Sequence, residues 1–376
     1  MAEAVLRTEA PSSHDEVAEA LQSFATDGLR VRFRGGGTKM DWGAVADEPD
    51  VELSFERLDR IVEHNAGDLT AILEAGVPLA RAQETFAEAG QMLAIDPPDP
   101  GGATIGGVLA TADSGPLRHR YAAPRDLVLG MKVALTDGSV ASSGGKVIKN
   151  VAGYDLAKLF TGAYGTLGAI LQVAVRLHPA PPRAATARAL SDDAFALAQA
   201  ARELAHARME MQSLDVAWAG GRGALLARFG GAAAAAQAEE ALEPAGRAGL
   251  QTDLLEDDRD LWAGQRAMQR SARAAVVRVS GVQTQLDDAF RTADRLGASV
   301  VGRVALGLSW LRIPDATPEQ IAELRSALSP SPCAVLDAPR ELREQVDVWG
   351  REPTALMRRV RERFDPAGVC NPGVLG

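Results

Sequence analysis

Histidine and cysteine are scarce. The 376 residues hold five histidines, at 14, 64, 119, 178 and 206, and two cysteines, Cys333 and Cys370. No H-x-H, H-x-x-x-H or C-x-x-C pair occurs. That argues against a histidine-based metal site, and against an iron–sulfur cluster held by this chain alone, which takes four thiolates. No run of about 18 apolar residues is present, so no segment reads as a membrane-spanning helix. The opening MAEAVLRTEAPSSHDE has neither a basic start nor an apolar core and does not read as a secretory signal. The expected compartment is the cytoplasm. Positive charge is also short: the net charge of −10 argues against nucleic acid or an anionic membrane surface as the main partner. Two nucleotide fingerprints are missing as well. G-x-x-x-x-G-K-[ST] does not occur, and the nearest approach to G-x-G-x-x-G, at Gly162, Gly165 and Gly168, leads into a strand. A Rossmann domain and a P-loop are both disfavoured.

What is present is enough chain for two domains, since single cores stop growing at roughly 250–300 residues. Ser13 with Glu16 reads as a capping box, and Val17, Ala20, Leu21 and Phe24 follow at helical spacing as far as Gly28. Strands are expected at 29–33, at 51–55 with Val51, Leu53 and Phe55 inward, and at 69–77; a helix follows from Pro78 to Gly90. That order argues for a mixed α+β domain. Residues 96–115 carry too many glycines and prolines to pack as regular structure without help. Two strands joined by the hairpin dipeptide Asp137-Gly138 are expected within 126–145, and another at 171–177. PAPPR (179–183) is a stiff extended linker. Beyond it, Ala/Leu-rich helices alternate with short strands, which suits helices on one face of an antiparallel sheet. The alanine-rich helix is expected to close at Pro244 and Gly246, and a basic helix in 354–364 precedes a Pro/Gly tail. The expected division is 1–182, 183–350 and 351–376.

RVRFRGGGTKMDWG (30–43) places three glycines directly after a strand. Residues 34–38, 101–115 and 144–170 make three candidate ligand-facing stretches, accompanied by Thr38, Thr104, Thr111, Ser114 and Thr166. Bare amides and small hydroxyls suit an extended, polyphosphate-bearing ligand. A charge-assisted N–H bond is worth roughly 1.5–3 kcal/mol. Three or four on a pyrophosphate outweigh surface carboxylates screened beyond about 8 Å. Arg34, Lys39, Lys146 and Lys149 would make the local charge positive. Structural turns are the alternative, stronger for any one stretch than for the set.

RFRGGGTKMDWG, PPDPGGATIGGVLATADSG, RYAAPRDLVLGMKVALTDGSV, GGKVIKNVAGYDLAKLFTGAYGTLGAI and FDPAGVCNPG together resemble the signatures of FAD-linked oxidases of the vanillyl-alcohol oxidase / p-cresol methylhydroxylase (PCMH) type. Within that family the chain is most like the FAD-binding subunit of bacterial glycolate oxidase, above all in KNVAGYDLAKLFTG. The likeness covers about residues 8–180 and the tail. It implies an α+β fold: a two-subdomain PCMH-type FAD-binding domain followed by a smaller cap of antiparallel sheet and helices. Gly35, Gly36, Gly37 and Thr38 would line the FAD pyrophosphate. Thr104, Ile105, Gly106 and Gly107, with Thr111, Asp113, Ser114 and Gly115, would run beside the pyrophosphate and the flavin ring. Gly165, Thr166, Gly168 and Ile170 would close on the adenosine side and the ring edge. Asn371 would sit where the tail returns to the flavin domain, a plain turn residue in N-P-G being the alternative.

The chain also departs from that pattern. Covalent members place a histidine in or just after the first glycine run; here stands Thr38, so non-covalent FAD is expected. His119 as a rare tether is weighed against an ordinary surface histidine. Relatives that oxidise 2-hydroxy acids alone carry an H-x-G-D-G-x-x-H-like stretch in the cap, and no histidine follows His206. No catalytic base declares itself: Lys149, Tyr154 and Asp155 read as structural contacts, while Arg118 or Arg125 would either clamp a carboxylate or pair with Asp126 or another acid. The resemblance implies oxidation of glycolate to glyoxylate within a complex that also holds a related FAD subunit and an iron–sulfur subunit. Membrane contact would come only through those partners, at the inner membrane. A stand-alone 2-hydroxy acid dehydrogenase and a non-catalytic assembly subunit are the alternatives.

Overall fold

A computed structural model describes residues 7–99, 101–145 and 156–376. A short strand, β1 (Arg7–Glu9), precedes the first helix, α1 (His14–Asp27). Ser13 accepts the Glu16 amide at its start, Gly28 takes a left-handed φ of 69° at its end, and Val17, Leu21 and Phe24 are buried between them. The Glu16 carboxylate turns to the Ser12 amide at 2.7 Å, one residue earlier than a capping box places it. Next come β2 (Val31–Arg34) and β3 (Val51–Ser54), which pair in parallel, with β1 on the other side of β3. The alternation expected in β3 is replaced by burial of all four residues. Glu52 tolerates this because Arg32 and Arg34 of β2 reach it at 3.1 and 3.0 Å.

The chain continues through β4 (Ile61–Asn65), which the sequence reading missed, β5 (Thr70–Glu74), α2 (Leu79–Ala87) and the two-residue β6 (Gln91–Met92). The glycine-rich stretch that follows is more regular than expected: it holds a helix, α3 (Ile105–Thr111). Thr104 caps it, and Ile105, Val108 and Leu109 are buried, so packing overrides poor propensity. The short α4 (Arg118–Tyr121) and α5 (Pro124–Leu127) lead into the hairpin of β7 (Val128–Ala134) and β8 (Val140–Gly144). With α6 (Leu156–Phe160) and β9 (Ala169–Arg176) this completes an antiparallel five-stranded sheet, ordered β4-β5-β9-β7-β8. The small β10 (His178–Pro179) pairs with β6. One apolar cluster, including Phe24, Phe86 and Phe160, joins both sheets.

The rest forms an antiparallel eight-stranded sheet with its helices. In chain order these are β11 (Ala184–Ser191), α7 (Ala194–Ala205), β12 (Ser213–Ala219), β13 (Arg222–Gly230), α8 (Ala234–Arg247), β14 (Gln251–Leu255), α9 (Arg259–Ala267), β15 (Ala275–Ser280), α10 (Leu286–Leu296), β16 (Ser299–Arg303), β17 (Leu308–Ile313), α11 (Pro318–Ala327) and β18 (Cys333–Asp337). The order across the sheet is β14-β11-β13-β12-β16-β17-β15-β18. α8 runs through Pro244 instead of closing there. Proline in the last turn removes a single hydrogen bond, while Ala238, Ala241 and Ala245 keep the helix seated. Leu197, Phe229, Phe290 and Ile321 fill the face beneath α7, α8, α10 and α11. α9 lies on the opposite face, where Trp262 is buried and donates to Thr186 at 2.9 Å. That face also meets the N-terminal part of the chain: Trp42 packs among Val276, Val301, Trp310 and Leu336.

After α12 (Arg340–Arg343) and α13 (Ala355–Phe364) the chain end returns to the first sheet. The Val31 amide donates to Val369, and the Asn371 amide donates to Val31, each at 2.8 Å. No helix among the described residues is long and apolar enough to cross a membrane.

Candidate functional site

A cleft of about 130 Å³, partly open to solvent, lies between β2, α3 and the loop before β9. It gathers Gly35, Gly36, Gly37, Thr38, Thr104, Gly106, Gly107, Thr111, Gly165, Gly168, Ile170 and Asn371 along its walls. Five of the residues singled out from sequence do not line it. Ile105 is buried in the core, and Thr166 folds its hydroxyl onto Ala163 O at 2.7 Å. Asp113 lies behind Lys39, Ser114 offers its carbonyl to Arg303, and Gly115 is pressed against Asp96. Lys146, Lys149, Tyr154 and Asp155 fall outside the described residues.

The glycines are bare for different reasons. A Cβ on Gly36 would lie 1.6 Å from the Gly102 carbonyl oxygen, so here chain must pass against chain. A Cβ on Gly107 would meet nothing nearer than Thr104 Oγ1 at 3.2 Å, and its remaining space is the cleft itself. The amides of Gly35, Gly36, Gly37 and Thr38 find no acceptor among the described residues. Four successive unpaired donors on a cleft wall are a ready set for anionic oxygens.

Asn371 adopts a left-handed φ of 41° and stitches three segments together. Its Oδ1 accepts the Phe33 amide at 2.9 Å, and its Nδ2 donates to Tyr164 O at 2.6 Å. It lines the cleft and holds its walls at once. The expectation of free positive charge needs correction: Arg34 is paired with Glu52, and Lys39 Nζ lies 3.2 Å from Asp113 Oδ2, both side chains almost fully buried. Burial pushes the Asp113 carboxyl up, against the pull of Lys39.

Several site residues gave no sequence signal. Arg270, just after α9, donates from Nη2 to Thr38 O at 2.9 Å and from Nε to Asp337 Oδ2 at 2.8 Å. Asp337 also accepts from Trp42 Nε1 at 2.7 Å, and the Arg270 guanidinium lies 5.0 Å from the Trp42 ring. Arg343 Nη2 donates to Gly43 O at 2.9 Å, so segment 38–43 is gripped at both ends. Apart from the 67 residues between Arg270 and Asp337, these contacts span hundreds of residues, and only Trp42, inside the quoted glycine motif, lay where a reader of sequence would look.

Next to this grip lies an arginine cluster. Arg303 is fully buried, stacks on Trp310 at 4.2 Å and donates to Ser114 O at 2.7 Å, while its Nε and Nη1 have no acceptor among the described residues. Burial pushes the nearby Asp96 up to about 7 and Asp215 up to about 6, with Arg303 opposing both shifts. Arg118 is pulled down by burial and then by the like charges of Arg303 and Arg278. Arg278 Nε is buried without a partner among the described residues. Of the two arginines considered from sequence, Arg125 faces Asp126 at 3.8 Å, while Arg118 feels the like charges of Arg303 and Arg278 more strongly than the attraction of Asp126. His119 does not line the cleft, and its Nδ1 is buried without a partner among the described residues.

A cleft walled by unpaired amides and glycines, with aromatic Trp42 and Tyr164 also lining it, has the donors that an anionic cofactor needs. Comparison with known proteins makes it specific. Residues 6–144 match the FAD binding domain family, and residues 344–375 match the family of FAD linked oxidases, C-terminal domain. In these two segments the chain is similar to the PCMH-type FAD-linked oxidases, and its cofactor is FAD. It is 34% identical over 213 residues to glycolate oxidase subunit GlcD of Bacillus subtilis, covering 55% of this chain and 44% of that one. It is 37% identical over 171 residues to a D-lactate dehydrogenase of Archaeoglobus fulgidus (45% and 38%). It is 32% identical over 164 residues to glycolate oxidase subunit GlcE of Escherichia coli (43% and 46%). These matches span less than half the length of each relative. The solved alkyldihydroxyacetonephosphate synthase shares the fold at a TM-score of 0.70 and 15% identity, over 97% of this chain and 76% of that one.

Proposed function

We propose that this chain is the FAD-binding subunit of a multi-subunit enzyme that oxidises a small 2-hydroxy acid, with glycolate as the first candidate. The observation that carries the reading is the run of unpaired amides at Gly35–Thr38 on the wall of the cleft. The relatives named as glycolate oxidase subunits support the complex and the substrate class. On this reading residues 1–182 bind FAD, 183–350 form the cap, and 351–376 return to the FAD domain.

FAD supplies two-electron oxidation of a C–H bond when bound. The amides of Gly35–Thr38 and the open space at Gly107 would take its pyrophosphate, and Asn371 and Gly165 would border its far end. Trp42 and Tyr164 supply flat apolar walls that exclude water. Arg118 and Arg278 would draw the substrate carboxylate toward the cap face, because neither forms an ion pair with a described residue. With Thr38 in place of a histidine, the flavin is held without a covalent bond.

The test is purification from native cells, with flavin and iron counted per chain and glycolate oxidation followed with an artificial acceptor. The expected result is one FAD per chain, released by acid precipitation, with iron and turnover arriving only alongside co-purifying subunits. A colourless chain, flavin that stays attached in acid, or full turnover by the isolated chain would each contradict this reading.

A further inference from the structure

Eight large apolar side chains are exposed among the described residues, and three of them, Leu159, Leu356 and Met357, line a single groove. The groove, of about 590 Å³ and open to solvent, lies between α13 on one side and α6 with loop 161–167 on the other. α13 is anchored along one edge, where Phe364 meets Phe160 at 5.6 Å. Yet none of its ten residues is buried, and Leu356 is 67% exposed. A helix with no buried residue gains little from its own fold and is held as if for another surface.

Its charge narrows what that surface is. α13 carries Arg358, Arg359, Arg361 and Arg363 against the single acid Glu362, in a chain whose net charge is −10. None of the four arginines is in an ion pair with a described residue; Arg358 donates only to the Pro353 carbonyl, at 2.6 Å. In the groove's lining Arg358 and Arg361 stand with Glu352 and Glu362, and the excess positive charge, Arg359 and Arg363, lies on α13 beyond it. A helix of this kind around exposed leucine and methionine complements a face that is acidic at its rim and apolar at its centre. The groove's position also matters. Its floor includes Gly162, Ala163 and Thr166, while Tyr164 and Gly165 of the same loop line the cofactor cleft from within. The groove is the outer side of a wall one loop thick.

We propose that this groove seats a protein partner with an acidic, apolar-centred face, docked against α13 behind the FAD cleft. This deepens the multi-subunit reading above and rests on it for the expectation that a partner exists. It is tested by placing the photo-crosslinking residue benzoylphenylalanine at Leu356 of the full chain in its native cells and mapping the adducts by mass spectrometry. The expected adduct joins position 356 to an Asp/Glu-rich segment of one heterologous polypeptide that co-elutes with the chain. Arg358→Glu with Arg361→Glu lowers its yield about tenfold or more, as does raised salt. Adducts to a second copy of this chain, to the same chain, to a segment without carboxylates, or to nothing overturn the proposal. Flavin per chain, measured on the same preparations, reports separately on the cofactor reading. Loss of flavin from the unmodified chain would sink that reading alone, while intact flavin without the adduct would sink only the groove.

Discussion

Arg270→Met is the sharpest probe of how the cap reaches the cofactor. Arg270 makes one bond that concerns FAD, Nη2 to Thr38 O at 2.9 Å, and one that concerns the cap, Nε to Asp337 at 2.8 Å. Thr38 closes the run of unpaired amides, so freeing its carbonyl frees the donors beside it. A hydrogen bond from a charged group is worth about 1.5–3 kcal/mol. If all of it bears on the amide run, the FAD dissociation constant rises roughly 10- to 150-fold. Stability falls further, by about 3–5 kcal/mol, because Asp337 loses the partner of a buried pair. Arg270→Lys separates the two effects: an ammonium can satisfy Asp337 but cannot reach both groups as the planar fork does. Stability should therefore recover in Arg270→Lys while FAD affinity stays weak. Fluorescence titration of the apoprotein with FAD, paired with thermal melts, reads both quantities. Unchanged FAD affinity in a folded Arg270→Met variant would refute the argument, and so would full recovery of affinity in Arg270→Lys.

Two other predictions follow from the cleft and its surroundings. Gly36→Ala forces a methyl to within 1.6 Å of the Gly102 carbonyl oxygen and should cost about 1–3 kcal/mol of stability; Gly107→Ala should leave the apoprotein as stable but weaken FAD binding about tenfold or more, because the methyl occupies ligand space. Equal melting temperatures for the two variants would contradict this division. Asp96 and Asp215 titrate near 7 and near 6 in the fold, above the ordinary 3.8, so the native state holds protons that the unfolded chain releases. Their contribution is complete below about pH 4 and is lost as pH rises toward 7; Asp215→Asn should flatten that part of the urea-midpoint profile relative to the unmodified chain, and parallel profiles would show the carboxyl to be ionised throughout.

Local signals explain what was readable in the sequence. α1 announces itself by Ser13 and Gly28, and the β7–β8 hairpin by Asp137-Gly138. Elements without such signals were missed. β4 and β14 are short strands at sheet edges, with little burial to impose a pattern. α9 is polar along most of its length and is seated by Trp262 and Gln265 alone. α3 contradicts helix propensity because its glycines stand where packing, not preference, decides. The cleft divides in the same way. Its glycine wall lies in short motifs and could be read from them, but Arg270 meets it across 232 residues. Charge misled for a related reason: Arg34 and Lys39 looked free until the fold brought Glu52 and Asp113 to them.

That neutralisation separates two anions that this chain is proposed to hold. Around the glycine wall the described cations already have carboxylate partners, so a pyrophosphate there meets neutral amides. Formal charge is kept for the cap side, where Arg118 and Arg278 repel each other and neither forms an ion pair with a described residue. Amide donors bind an anion without adding net charge, which suits a chain of net charge −10 that must keep its cofactor in any salt. An unpaired guanidinium suits a ligand that must arrive, react and leave. Arg118→Gln should therefore raise the KM for a carboxylate substrate of the assembled enzyme at least tenfold while FAD affinity stays unchanged. It should also relieve like-charge crowding, so the variant melts no lower than the unmodified chain. A fall in FAD affinity with KM untouched would mean that Arg118 serves the cofactor, and the division of labour between dipoles and charges would be wrong.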